Sequence, residues 1–460
     1  MNIHLNSVLR SVLPGITLAL SLSILPTFSA QAESTAAQFN SQTILLKGQQ
    51  VPSLLNRNFN EIALVRLDEQ GKLKNIPLQI DDMNVEGTPY IPALSMVAVD
   101  GSIEKVDPND EVLFMARDGG RKAEADVFNY LEEIEYHHRR KTYYVYLIER
   151  TEFPNLAYTQ NSYVEYLEDE ARFTSNRYSL STDRDNPLQW RDLTYNNYNG
   201  SKSTSLLDTM KVRISAGVVT SFPRITITNN NMNAKVIDII KGPIRTMVQT
   251  EATVVTMKVP VMKIHTLFVG YESQMDTVVR AEIPRVFGKL MKNPEITLSL
   301  DGNELGDSTV YSANKPDSPI LVDGKMSKLE KSIAKSTFAD DNWWWLSTGK
   351  NFDWIINLVP GKQFSPELSP YYVDDRREKD KPERFRGQWP NMGYKLTGID
   401  ANQVINFTIQ IFFTNGNQEM DLPSRQYLGQ VLHQPDTKLT PTSSLSDQPD
   451  TTQEVGISSL

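Results

Sequence analysis

The sequence predicts an all-β protein, with a smaller N-terminal β module followed by a large antiparallel β-sandwich carrying one short surface helix. Runs rich in β-branched and aromatic residues recur along the chain, many of them alternating apolar with polar positions, and clusters of Asn, Gly, Asp and Pro separate them. Alternation gives each sheet one wet face and one face turned toward a partner sheet, which is the pattern of a sandwich.

Taken in order, residues 1–32 read as a secretory signal peptide. Arg10 precedes an apolar stretch that ends in the small-x-small triplet Ala30-Gln31-Ala32. Pro14, Gly15 and Pro26 interrupt that stretch, which is short for a bilayer span, so cleavage is favoured over a retained anchor. No later run reaches membrane-spanning length, so no transmembrane segment is expected after the signal is removed, and the expected location is periplasmic or secreted.

Residues 33–155 form the expected N-terminal module, with strands at "NEIALVRLD" (60–68) and "KTYYVYLIE" (141–149). "NYLEEIEY" is expected to pair with the latter as a hairpin across the polar turn "HHRRK". Residues 156–433 form the large sandwich, with strands at 211–219, 223–229, 244–255, 262–271, 276–284 and 403–415. Leu329, Ile333 and Ala334 share a stripe over 327–338, with Ser327 as cap, and predict the helix. Residues 434–460 are poor in aromatic residues and rich in Pro, Ser, Thr, Asp and Gln, and are expected to be disordered.

Composition excludes several function classes. The 460-residue chain has no Cys, which rules out disulfides, thiol catalysis and cysteine-bound zinc. Without residues 1–32, which hold one Arg and no acid, 46 basic residues face 56 acidic ones, a net charge of −10. Such a balance does not suit nucleic acid as a partner. Nucleophile-elbow, zinc-protease and phosphate-loop motifs are absent.

"DPNDEVLFMARDGG" (107–120) crowds acids before an apolar run. Asp-Pro-Asn-Asp is a strong turn sequence, and Val112, Phe114 and Ala116 would then point inward along an edge strand. The surplus charge leaves Asp107, Asp110 and Glu111 as candidate oxygen ligands for Ca²⁺, with Asp81 and Asp82 able to approach from the preceding strand.

"KNIPLQIDDMNVEG" (74–87), "DEVLFMA" within the stretch just described, and Gly242, Pro243 and Arg245 in "IIKGPIRTMVQTEATV" together resemble a group of exported bacterial β-sandwich proteins. Their N-terminal module carries Pro-x-Gln-[Ile/Val]-Asp-[Asp/Glu] and then Asp-Glu-[Leu/Val]-x-Phe-Met-Ala. The resemblance covers about residues 50–150 and, more weakly, 235–285. It implies an architecture similar to the two-sheet supersandwiches of galactose mutarotases and polysaccharide lyases, with carbohydrate as ligand class. The chain departs from the group between Asp82 and Asp107, where the segment is longer and less acidic than a repeated Asp-Gly loop suited to Ca²⁺.

Further candidates follow from residue type and place. His265 is the one histidine in a strongly apolar strand and titrates near neutrality. With Tyr271 and Arg280 in adjoining segments it could supply the base and cation of a lyase, although a lone strand histidine more often serves structure. On a strand, Trp343 and Trp345 share one side and Trp344 takes the other, so one indole is expected to meet solvent or a sugar ring unless both faces are buried. Trp389 and Tyr394 could line the same groove. Arg384 and Arg386 lie in a loop of alternating charge (371–387) that could bind an anionic polymer, though mutual ion pairing is its default. The expected partner is a polysaccharide or oligosaccharide. The alternative is a non-catalytic envelope protein that binds a protein partner through the Arg-rich loop and the tail.

Overall fold

The computed structural model describes residues 42–442, apart from 95, 125–126, 139–140, 159–160, 202–204, 219, 257–258, 286–290, 379–380, 386–388, 401 and 417–423. The signal-peptide segment and Arg386 therefore lie outside the described residues. The described strands pair antiparallel in five sheets, with short helices at Lys328–Ile333 and Ser424–Leu432.

Near the N-terminus, Glu111–Met115 is the central strand of a three-stranded sheet, between Thr43–Lys47 and Gln79–Asp81. It was expected at an edge with one inward face, but all five of its residues are buried. Val112 and Phe114 pack into the module's own core, whereas Leu113 and Met115 pack against Met247, Leu267 and Val269 of the large domain. The hairpin of Glu132–His138 with Lys141–Glu149 forms as expected, with His138 opposite Lys141. It belongs to a five-stranded sheet with Ile62–Leu67 and Leu73–Ile76, whose fifth strand is Thr437–Pro441.

For residues 434–442 that fifth strand corrects the expectation of disorder, while residues 443–460 lie outside the described residues. Thr437 pairs with Tyr136 and Pro441 with Glu132, so the backbone of a mostly polar segment is ordered by a sheet edge, with Leu439 packed against the module's core.

The large sandwich faces a nine-stranded sheet against a five-stranded sheet, with a four-stranded sheet closing one side. The five-stranded sheet runs in the order Arg224–Thr228, Leu207–Val218, Met291–Gly302, Asn391–Thr397, Glu367–Val373. In the nine-stranded sheet, Val259–Gly270, Gln274–Glu282, Val404–Thr414 and Asp353–Pro360 are neighbours, followed by Trp344–Ser347. One continuous apolar core, including Trp190, Phe268, Trp344, Trp354 and Tyr394, fills the space among the sheets. The helix at 328–333 begins as its sequence predicts: Ser327 Oγ accepts the Glu330 N–H at 3.3 Å, and the Glu330 carboxylate accepts the Ser327 N–H.

Candidate functional site

The five-stranded sheet of the sandwich turns Met210, Val212, Ile214, Leu298, Leu300 and Tyr394 into the core. Alternation sends Thr209, Lys211, Arg213, Thr297, Ser299 and Asp301 to the opposite face, in cross-strand register. On a two-layer sandwich that face is ordinarily wet. Here all six residues are buried, and Lys211 is 0 % exposed.

Two local features assemble a charged cluster on this face. The register shifts between Leu207 and Thr209, a bulge at Asp208 beside the Asp301 position. The segment bearing Glu383 then folds over the sheet, held by N–H donation from Arg384 and Phe385 to Asp208 Oδ1 at 3.0 and 2.7 Å. Carboxylate oxygens of Asp208, Asp301 and Glu383 consequently lie within 4.8 Å of one another. Lys211 Nζ stands 2.5 Å from Asp301 Oδ2 and 3.4 Å from Glu383 Oε1.

Three acids around one ammonium set the chemistry. Burial pushes the Asp301 carboxyl up to about 7, Lys211 opposes the rise, and the negative charges of Asp208 and Glu383 add to it. Burial raises Asp208 as well, against its two main-chain donors and Lys211. The Asp208 Oδ2 and Ser299 Oγ atoms are buried with no hydrogen-bond partner. The cluster is thus able to exchange a proton near neutral pH, and its donor set is capable of coordinating a divalent cation beside the Lys211 ammonium.

None of Asp208, Lys211 and Asp301 was singled out by sequence reasoning. Lys211 opens a run that reads as an ordinary alternating strand, and Asp301 sits before a Gly in what reads as a turn. The available signal was a lysine and an acid on strands otherwise fit for a sandwich, and it becomes informative only once register places them together.

Arg384 is close to this cluster, but as an anchor. Its guanidinium donates to the carbonyls of Asp208, at 3.0 Å, and Arg191, and pairs with Asp192 at 2.9 Å, so it fastens the covering segment instead of facing an anionic polymer.

The other predicted residues separate. His265 and Arg280 are register partners on neighbouring strands, and His265 is buried with both ring nitrogens unbonded. Arg280 is committed to Glu86 at 2.9 Å and Glu282 at 2.7 Å. Tyr271 lies six positions beyond His265, roughly 20 Å at the rise of a strand, and its hydroxyl accepts from Arg245 Nη1 at 3.1 Å. The three side chains therefore share no hydrogen-bonded set, which corrects the expectation of a lyase-like triad.

Asp107, Asp110 and Glu111 likewise do not converge. Asp110 accepts the N–H groups of Met83 and Asp107 at 3.0 and 2.7 Å, and Asp107 accepts that of Ser102, which is turn capping. Glu111 pairs with Lys47 at 2.7 Å and Arg245 at 2.8 Å. Among the described residues, the three acids whose carboxylate oxygens converge are Asp208, Asp301 and Glu383.

The tryptophan platform is also corrected. Trp343 and Trp345 are 7 % and 3 % exposed, because the helix Ser424–Leu432, which sequence reasoning did not find, lays Tyr427 and Leu428 over them. Trp345 Nε1 donates to Asp353 Oδ2 at 2.7 Å, and its ring stacks on Tyr311. Trp344 is sealed in the main core against Tyr372, Tyr394 is fully buried there, and Trp389 is half-buried against it.

The shared motif residues instead form a joint between the two parts. Gln79 Oε1 accepts the N–H groups of Ile244 and Arg245 at 3.0 and 2.9 Å, and Arg245 Nη2 reaches Asp81 at 2.7 Å and Glu111 at 2.8 Å. Gly242 is required for close approach, since a Cβ there would stand 2.2 Å from Gln79 Oε1.

No family model and no curated protein matches the chain. Solved structures with a distant likeness include an alpha-mannosidase from Enterococcus faecalis V583, at 9% identity and TM-score 0.45, covering 88% of this chain and 45% of that one. Alpha-N-acetylgalactosaminidase NagBb from Bifidobacterium bifidum gives 6% identity and TM-score 0.35, covering 53% and 36%. A GalM/aldose epimerase homologue from C. elegans gives 10% identity and TM-score 0.31, covering 52% and 97%. The chain spans less than half the length of the first two. The likeness is one of layered antiparallel sheets and carries no argument about activity.

Proposed function

We propose that the protein is exported and acts on a carbohydrate polymer, the reacting sugar entering the polar cluster beneath the Glu383-bearing segment, with Asp301 as its proton-exchanging group. The observation that carries this reading is the buried hydrogen-bonding set on a face that architecture alone would leave wet, with Ser299 Oγ and Asp208 Oδ2 still lacking partners. Packing does not explain why such groups are retained under a covering segment. Their chemistry suits a polyhydroxylated ligand: Thr209, Thr297, Ser299, Lys211 and Asp301 offer both donors and acceptors, and this face presents no apolar floor. An Asp whose carboxyl titrates near 7 is matched to proton transfer at neutral pH.

A glycan array and a polysaccharide-degradation panel, run on the wild-type chain and Asp301→Asn, test the reading. Binding or turnover is expected, at least tenfold weaker in the variant. No interaction with any polymer sinks it and leaves the envelope protein that binds a protein partner. The unpartnered Asp208 Oδ2 favours a second reading, in which the cluster takes a divalent cation. Calorimetric titration with Ca²⁺ and Mg²⁺ tests that, with binding lost in Asp208→Asn as the expected result.

A further inference from the structure

A second cavity lies on the outer face of the other sheet. The N-terminal module docks on one part of the nine-stranded sheet, through Leu113 and Met115 on Leu267 and Val269, and the helix Ser424–Leu432 docks on another, over Trp345 and Phe412. Between them remains a cavity of about 300 Å³, within the usual size of a small-molecule site. Gln274, Asp276, Gln410 and Thr414 of the sheet line its floor, and Gln42 and Gln430 stand on the two walls. The walls are tied across the cavity, since Gln42 Nε2 donates to the carbonyls of Gln430 at 3.2 Å and His433 at 2.5 Å. The site is thus built from three separate parts of the chain.

Its charge is one-sided. Among the described residues no Lys, Arg or His lines the cavity, and Asp276 is the only carboxyl in its lining. The nearby cations Arg245 and Lys47 are already paired with Asp81 and Glu111, so Asp276 has no ion pair of its own, and burial pushes its carboxyl up to about 7. The Asp276 carboxylate accepts from Gln274 Nε2 at 2.7 Å, a neutral donor that orients it without neutralising it. Thr43, Ser273 and Gln434 add further neutral polar groups, and Leu45, Tyr271, Phe412, Val431 and Leu432 supply apolar surface.

We propose that this cavity binds a small monocationic ligand, its ammonium group set on Asp276 and its hydroxyl or amide groups on Gln274 and Gln410. The missing ion pair carries the choice: an ammonium group would hold Asp276 in its charged form, an anion would oppose that form, and a neutral ligand would bring no counter-charge. This site is separate from the Asp301 face, on the other sheet, and does not depend on the function proposed for that face.

The test compares three molecules of similar size and different charge, namely glucosamine, glucose and glucuronate, by calorimetry and thermal unfolding of the full chain. Glucosamine is expected to bind at least tenfold more tightly than glucose, and glucuronate not at all. Asp276→Asn is expected to bring glucosamine down to the affinity of glucose. Because a floor substitution can disturb folding, Gln430→Lys on the exposed wall serves as a second variant and is expected to lower the preference for glucosamine over glucose at least threefold. Equal binding of the three molecules, absence of glucosamine binding, or glucosamine binding untouched by both substitutions overturns the proposal.

Discussion

The Arg245 guanidinium lies 2.7 Å from the Asp81 carboxylate, with both side chains buried where the N-terminal module meets the large sandwich. Removing one member of a buried pair strands the other charge, at a cost of about 3–5 kcal/mol. Arg245→Met is therefore expected to destabilise the protein by that order and to separate the unfolding of the two parts, which chemical denaturation followed by two probes would reveal. A single unchanged transition would contradict the role assigned to this joint.

Gly242 tests the same joint without touching charge. An alanine Cβ would fall on the Gln79 carboxamide, which is fixed by two main-chain donors and by Asp81, so it has little room to yield. Gly242→Ala is expected to cost about 1–3 kcal/mol, in the range of overpacking, read as a lowered denaturation midpoint. The double variant with Gln79→Ala should recover part of the loss.

His265 predicts a pH dependence of stability. Burial lowers its value from 6.5; Glu251, its partner on one flanking strand, opposes the shift, and Arg280 on the other reinforces it, as does Lys263, while Glu282 opposes it. A histidine depressed in the folded state takes up its proton more readily when unfolded. Its contribution to stability is thus complete above about 6.5 and is lost as pH falls below that value. His265→Gln should flatten the stability profile below about pH 6.5. An unaltered slope would show that other groups govern it.

Lys211 tunes Asp301, and its removal has a definite sign. The ammonium holds the Asp301 carboxyl down against burial and two neighbouring acids, so Lys211→Met is expected to raise it above its present value of about 7. Carboxyl-carbon NMR titration would follow the shift. A downward movement would mean that the ammonium does not act on Asp301.

Trp345 is expected to matter for stability alone. Trp345→Ala removes a buried ring that supports Tyr311, Tyr427 and the Asp353 carboxylate, and such truncations cost about 3–5 kcal/mol. Glycan binding by the folded fraction should persist. Loss of binding with stability intact would restore the indole platform.

The strands were legible because runs such as 60–68 and 403–415 are rich in β-branched and aromatic residues, and the structure places Ile62–Leu67 and Val404–Thr414 there, the former buried on both faces. The Ser327 helix start was legible because a capping box is local chemistry. What each strand's outer face meets was not. Trp343 and Trp345 read as exposed because the covering helix is short and has little apolar excess of its own, and Glu111–Met115 read as an edge because its second contact comes from a distant segment. The candidate site was hidden for the same reason. Asp208 and Lys211 share a strand, but Asp301 and Glu383 are distant in sequence, and a bulge, a cross-strand register and the covering segment make the four neighbours.

The pairing of Thr437–Pro441 with Glu132–His138 sets an order of events for the growing chain. A sheet begun at Ile62–Leu67 receives its closing strand only after the whole large sandwich has been synthesised, because Thr437–Pro441 lies beyond that sandwich in sequence. Until then Glu132–His138 is left as an open edge of the N-terminal module.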